Sequence, residues 1–199
     1  MMDKKILCRL VLFIFVVMAG AAYPVIKIIH YEFPSERTAV YRFKAGIADP
    51  YDPFRGRYVA LNPLPNEAVL REKKDFEPGT EIYAVIGNDK EGLAVISDLV
   101  KKPVPGYDCL KVRFEERISS GIYDGRTSAE IYRVRLPFNR FYLNERLAPE
   151  ADSAVSYATR YNKGGCVIKV RIYSDGNYAI EDLEINGKPI HEYIRSDNN

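Results

Sequence analysis

Between Ile6 and Ile29 the chain runs for 24 residues with Arg9 and Lys27 as its only charges. No other stretch restricts the fold as tightly. A helix of that length rises about 36 Å, enough to cross a hydrocarbon core of about 30 Å. Arg9 near one end and Lys27 near the other can snorkel to water. Tyr23, His30, Tyr31 and Phe33 fall where amphipathic rings favour the second interface. A cleaved signal peptide is the competing reading, since Lys4 and Lys5 form a basic n-region and Ala19-Gly20-Ala21 has the small-x-small cleavage pattern. The apolar run continues beyond that point through Val25, Ile26, Ile28 and Ile29, which favours an uncleaved signal-anchor over residues 1–32. Lys4, Lys5 and Arg9 orient the N-terminus inward and the rest of the chain outside the cell membrane, against the opposing pull of Lys27, Arg37, Arg42 and Lys44.

Residues 33–199 are then a single extracytoplasmic domain, long enough to bury a core without staples. The first 30 residues hold four of the 29 basic side chains and one of the 27 acidic ones, leaving 25 and 26 for the remainder. A near-neutral domain has no broad electrostatic footprint for nucleic acid. Cys8 lies in the anchor, and Cys109 and Cys166 can either pair or remain buried thiols.

Beyond Glu32 the pattern is mainly β, an antiparallel sheet or barrel-like domain with one short amphipathic helix. Tyr41 and Phe43 alternate with Val40, Arg42 and Lys44. Residues 83–86 and 93–96 flank a Gly/Asn/Asp-rich loop as a hairpin does. Further strands are expected over 110–114, 131–136, 167–173 and 178–185. Asp175-Gly176 and Asn186-Gly187 supply the positive-φ positions of tight turns, so the C-terminal strands should be consecutive and antiparallel. Fifteen tyrosines and no tryptophan suit a pleated, half-buried surface. The helix is expected from Pro149, with Ala151, Ala154, Val155, Ala158 and Tyr161 on one face and Gly164-Gly165 closing it. The tail Ser196-Asp197-Asn198-Asn199 is expected to fray.

Chemistry has few starting points. His191 is the domain's only histidine and stands without a nucleophile motif, so a surface position is expected. Metal-ligand spacings such as Cys-x-x-Cys and His-Glu-x-x-His are missing from the sequence, as is a phosphate-cradling glycine fingerprint, so neither a metal nor a cofactor is expected. A Ser/Lys dyad like that of membrane signal peptidases would need Ser35, which lacks the peptidase context. Two stretches remain. Residues 49–63 combine three prolines with an Arg55-Gly56-Arg57-Tyr58 core. Residues 137–150 place Arg140, Asn144, Glu145, Arg146 and Glu150 among aromatics, ending in Pro149-Glu150. The second can hold a polar ligand or set a salt-bridged start to the helix, and the structural role is favoured.

Together these stretches resemble the GDYXXLXY protein family, bacterial membrane-anchored proteins with no assigned activity. The resemblance covers the N-terminal anchor, the Asp-Pro-x-Asp-Pro-Phe-Arg-Gly lead, the Tyr-x-x-Leu core, the aromatic segment through Pro149-Glu150, and the strands before Asn186-Gly187-Lys188-Pro189. Gly56, Tyr58 and Leu61 match the naming motif, while Arg57 replaces its Asp and Pro63 its final Tyr. Arg cannot stand in for a carboxylate as base or ligand. Family members often accompany a multi-spanning membrane protein, which implies an accessory role with a membrane partner. Arg55, Gly56, Tyr58, Leu61, Asn144, Glu145, Pro149 and Glu150 are the candidate binding residues, and none is assigned to catalysis. The alternative is an extracytoplasmic ligand-binding domain or hydrolase acting on an envelope component, with Arg55, Asn144, Glu145 or Glu150 around a pocket. In a single strand, Tyr58 and Leu61 face opposite sides and cannot share a pocket. Arg57→Asp, which restores the motif's residue, is expected to leave the thermal midpoint unchanged; a folding loss would show that the arginine has a role of its own.

Overall fold

The structure, a computed structural model, describes residues 4–32, 38–47, 58–123, 127–144, 146–161 and 165–197. The chain divides into two compact units, Met1–Arg37 and Thr38–Asn199. The first contains α1, Lys4–Glu32, whose window Leu12–Ile29 is apolar and long enough to cross a membrane. Within that window Phe13, Phe15, Met18 and Ile26 are each about two-thirds exposed.

The second unit is mainly β. One five-stranded antiparallel sheet has the order β12 (Lys188–Pro189), β11 (Tyr178–Ile185), β10 (Cys166–Ile172), β1 (Ala39–Gly46), β3 (Asn62–Leu64). The other runs β4 (Glu67–Leu70), β8 (Thr127–Arg135), β7 (Cys109–Tyr123), β5 (Glu81–Asn88), β6 (Ala94–Val100). A two-stranded pair joins β2 (Tyr58–Ala60) to β9 (Arg140–Tyr142).

Alternation dictates the core. In β1, Tyr41 and Phe43 are buried while Val40 is exposed, as the period of two requires. Gly187 and Asn186 both take positive φ in the turn joining β11 to β12, and Gly176 does so between β10 and β11, as their turn residues predict.

The second sheet nearly closes on itself, with its outer strands β4 and β6 side by side. The gap is spanned from the segment after β4. Lys74 Nζ donates to Leu99 O at 2.8 Å and pairs with Asp98 Oδ1. The Lys74 backbone in turn grips the fully buried Tyr132: its N–H donates to the phenol oxygen at 2.6 Å and its carbonyl accepts the phenol proton at 3.1 Å. Inside the curve, Phe76, Phe114 and Tyr132 meet with ring centroids 5.6–6.3 Å apart, tilted or edge-on as ring quadrupoles prefer.

One continuous core joins both sheets with the two helices of this second unit. Helix α2, Ala148–Tyr161, buries Ala148, Ala151, Val155 and Ala158. Tyr161 departs from the expected apolar face and is three-quarters exposed. The chain also forms a second helix in this unit, α3 (Ile190–Asp197), where a single helix and a frayed tail were expected. Ile190 and Ile194, one turn apart, anchor it in the core, and Ser196 Oγ donates to Tyr193 O at 2.8 Å, so Ser196 and Asp197 are helical.

Cys109 and Cys166 are both buried and free. Burial pushes the Cys166 thiol up to about 12. Its folded-state value therefore lies above the unfolded one, near 8.5. The associated stability is complete below the unfolded value and is lost as pH climbs toward 12. Denaturant titrations between about pH 9 and 12 should show a decline in stability that Cys166→Ala lessens, and maleimide should label Cys166 only after unfolding.

Candidate functional site

The Tyr-x-x-Leu stretch folds as two short strands with a change of partner between them. Tyr58, Val59 and Ala60 pair with Tyr142, Phe141 and Arg140. Leu61 extends that pairing by donating its N–H to Asn139 O at 2.9 Å. Asn62, Pro63 and Leu64 then switch to β1, opposite Gly46, Ala45 and Lys44. Burial alternates cleanly along the run, with Val59, Leu61 and Pro63 buried between less buried neighbours. Tyr58 thus faces outward and Leu61 inward, and they share no pocket. Pro63, at the position of the motif's last tyrosine, points to the core. Arg55 and Gly56 lie outside the described residues.

On the outer side Tyr58 joins a small aromatic patch. Its ring lies 5.8 Å from that of Tyr142, and the Arg140 guanidinium sits 4.9 Å from its centroid in cation–π geometry. Tyr142 is two-thirds exposed. Tyr178 donates its phenol proton to Pro137 O at 2.9 Å, and burial, with Tyr142 adding to it, raises its pKa. Phe138 anchors the segment from below, fully buried and edge-on to Phe43 at 4.9 Å.

The second stretch divides between a turn and a groove. Asn144 serves the turn: its side-chain oxygen accepts from Arg146 N at 3.1 Å and its carbonyl accepts from Leu147 N and Ala148 N at 2.9 and 3.0 Å. These bonds start α2, and Asn144 does not line the groove beside that helix. Glu145 lies outside the described residues. Pro149 and Glu150, in the first turn of α2, line a groove of about 730 Å³ with Ser153, Ala154, Tyr157, Tyr193 and Ile194. Glu150 stands at the positive end of the helix dipole. The Ser153 hydroxyl donates to Pro149 O at 3.0 Å. Tyr157 and Tyr161 stand beside the groove with rings 5.1 Å apart, both largely exposed.

This groove offers aromatic and apolar contact with one carboxylate at its rim. His191, on α3, is half-exposed with Nε2 3.8 Å from Glu192, and it does not line the groove. Among the described residues no three His, Cys, Asp or Glu side chains gather as a metal ligand set. The candidate residues therefore separate into Tyr58 in the aromatic patch, Leu61 in the core, Asn144 in a turn, and Pro149 with Glu150 in the groove. Tyr157, Tyr193 and Ile194 were not singled out from sequence, although Ile190, Tyr193 and Ile194 carry the i, i+3, i+4 spacing of a helix face.

The two faces of the Tyr-x-x-Leu stretch should respond differently to truncation. Leu61→Ala is expected to cost about 2–5 kcal/mol in denaturant titrations, the range for a buried large-to-small change. Tyr58→Ala should cost about 1 kcal/mol, the worth of one tilted ring pair with a cation–π contact.

No curated protein and no solved structure matches the chain. The sequence pattern described as "GDYXXLXY protein" matches residues 21–183. That span takes in the end of α1, both stretches described above, α2 and nearly all of β11. Covering most of its length, the match shows that the chain belongs to the GDYXXLXY protein family.

Proposed function

We propose that this chain is an accessory protein anchored in the cell membrane by α1, whose β-rich domain works outside the membrane by docking on a multi-spanning membrane protein. The observation that carries the reading is α1 itself. Every residue of its apolar window is unburied within the protein. Each large apolar side chain is worth about 1.5–3 kcal/mol when removed from water, so covering the window is worth on the order of 20 kcal/mol. A bilayer supplies that cover over the required length.

Membrane confinement supports the second half of the reading. Two proteins held in one bilayer meet at a high effective concentration, so a modest surface is enough for association. The α2–α3 groove is the surface we assign to that contact, with a segment of the membrane partner as its occupant. Tyrosine is enriched where binding energy concentrates, and Tyr157, Tyr161 and Tyr193 lie in or beside the groove. An exposed ring pair is available for burial without any core rearrangement.

Crosslinking in intact cells followed by mild detergent extraction should recover a membrane protein in stoichiometric amount with the full chain. Tyr157→Ala/Tyr161→Ala, at exposed positions, should fold normally and lose that partner. Recovery of the monomer alone from the unaltered chain would overturn the docking reading.

A further inference from the structure

Where β8 ends at Arg135, β7 continues back to Cys109, so the β8-facing edge of β7 over 109–112 has no β8 residue opposite it. The β10–β11 turn takes that edge instead: the Lys111 N–H donates to Gly176 O at 2.9 Å. Gly176 has φ +81°, and a Cβ there would stand 2.8 Å from the Tyr83 ring and 3.0 Å from Lys111 Cγ. Glycine alone lets the turn approach this closely. The step from the end of β8 to the docked turn leaves a notch of about 380 Å³, whose lining includes Lys111, Arg113, Arg135, Asn139 and Tyr178.

The lining of this notch carries more cations than carboxylates. Arg113 lies directly opposite Arg135 across β7 and β8, and opposite Glu81 across β5 and β7. Glu115 engages the Arg135 guanidinium at 2.6 Å. Lys111 and Arg113 have no ion-pair partner among the described residues, and Glu81 is the only carboxylate in the lining. The lining itself holds three cations and one carboxylate, with Glu115 and Asp175 at its edge, and Lys111 and Arg113 are the two cations that no carboxylate among the described residues reaches within ion-pair distance. Asp175, in the docked turn, keeps its charge but turns its carboxylate to Asn177: its Oδ1 accepts from Asn177 N at 2.9 Å and its Oδ2 from the Asn177 side-chain amide. Directly opposed like charges weaken a strand pair, and an anion seated between them removes the cost. Guanidinium groups present paired N–H donors that match the oxygens of a phosphate, and Lys adds a mobile point charge.

We infer that this notch is a binding site for a phosphate-type oxyanion, held by Lys111, Arg113 and Arg135. The anion is either a soluble phosphate compound or a lipid headgroup, since both present the same oxygens. The site is separate from the α2–α3 groove and does not depend on the docking reading.

The test uses the full chain in nanodiscs of neutral phosphatidylcholine, with inorganic pyrophosphate as probe, read by thermal midpoint and phosphorus NMR line width. Pyrophosphate should raise the midpoint by more than sodium chloride at equal ionic strength. Lys111→Gln and Arg113→Gln should each weaken binding about fivefold, and together remove it. Lys90→Gln, on the exposed β5–β6 loop, should change nothing. Without anion, Arg113→Gln should keep the original midpoint, because the change removes both the repulsion from Arg135 and the attraction to Glu81, which separates lost binding from lost folding. In discs containing phosphatidylglycerol, competition against pyrophosphate would identify a headgroup as ligand, and undiminished pyrophosphate binding would identify a soluble one. Pyrophosphate acting no better than matched salt, or binding the double variant as tightly as the original chain, would overturn the site.

Discussion

Backbone hydrogen bonding through residues 58–70 ties the whole β unit together. In that short run β2 pairs with β9, β3 with β1 and β4 with β8, so all three sheets share one length of chain. Side chains alternate within each strand, so Val59, Leu61 and Pro63 are buried and, after a change of parity at 64–66, so are Ala68 and Leu70; a slip of one residue would reverse each of them. The approach is close enough that a Cβ on Gly46 would meet Leu64 Cδ1 at 2.9 Å and Asn62 O at 3.2 Å. The position of β9 follows from β2, the start of α2 follows from the turn after β9, and the groove follows from α2. The Tyr-x-x-Leu stretch thus works as the junction of the fold.

The legible parts were those whose pattern is local. Tyr41 and Phe43 announce β1, the Gly-bounded loop announces the β5–β6 hairpin, and Ala151, Val155 and Ala158 announce α2. The missed elements owe their existence to distant partners. Strand β3 is three residues long and contains Pro63, which weakens any strand reading, yet β1 holds it in place. Strand β9 is equally short and exists through its pairing with β2. Helix α3 has only eight residues, below the length that signals itself by periodicity, and is fixed by burying Ile190 and Ile194. The sites follow the same division: Pro149 and Glu150 were visible, whereas their neighbours Tyr193 and Ile194 arrive on the unforeseen helix. The meeting of Tyr58 with Arg140 and Tyr142 is likewise a product of long-range register.

Charge on the outer faces reinforces that register. Arg133 reaches Glu67 on β4 at 3.1 Å and Glu116 on β7 at 2.6 Å, so one side chain spans three adjacent strands. In the other sheet Glu184 on β11 receives Arg42 from β1 at 3.1 Å and Lys169 from β10 at 3.4 Å. Exposed pairs of this kind add little stability one by one. They favour the observed register, because a slip separates each cation from its carboxylate. Like charges do meet directly at Arg42 and Lys169, where Glu184 lies between them, and again at Arg113 and Arg135.

The near-closed sheet has a further consequence for motion. Along its other contacts the strands are joined by ladders of backbone hydrogen bonds, but between β4 and β6 the closure rests on Lys74 and the phenol of Tyr132. Parting that seam breaks a handful of side-chain bonds and leaves every ladder intact. Backbone amides flanking the seam therefore exchange with solvent ahead of those in β5 and β7, and the curved sheet behaves as a clasp that can be undone without unravelling the fabric.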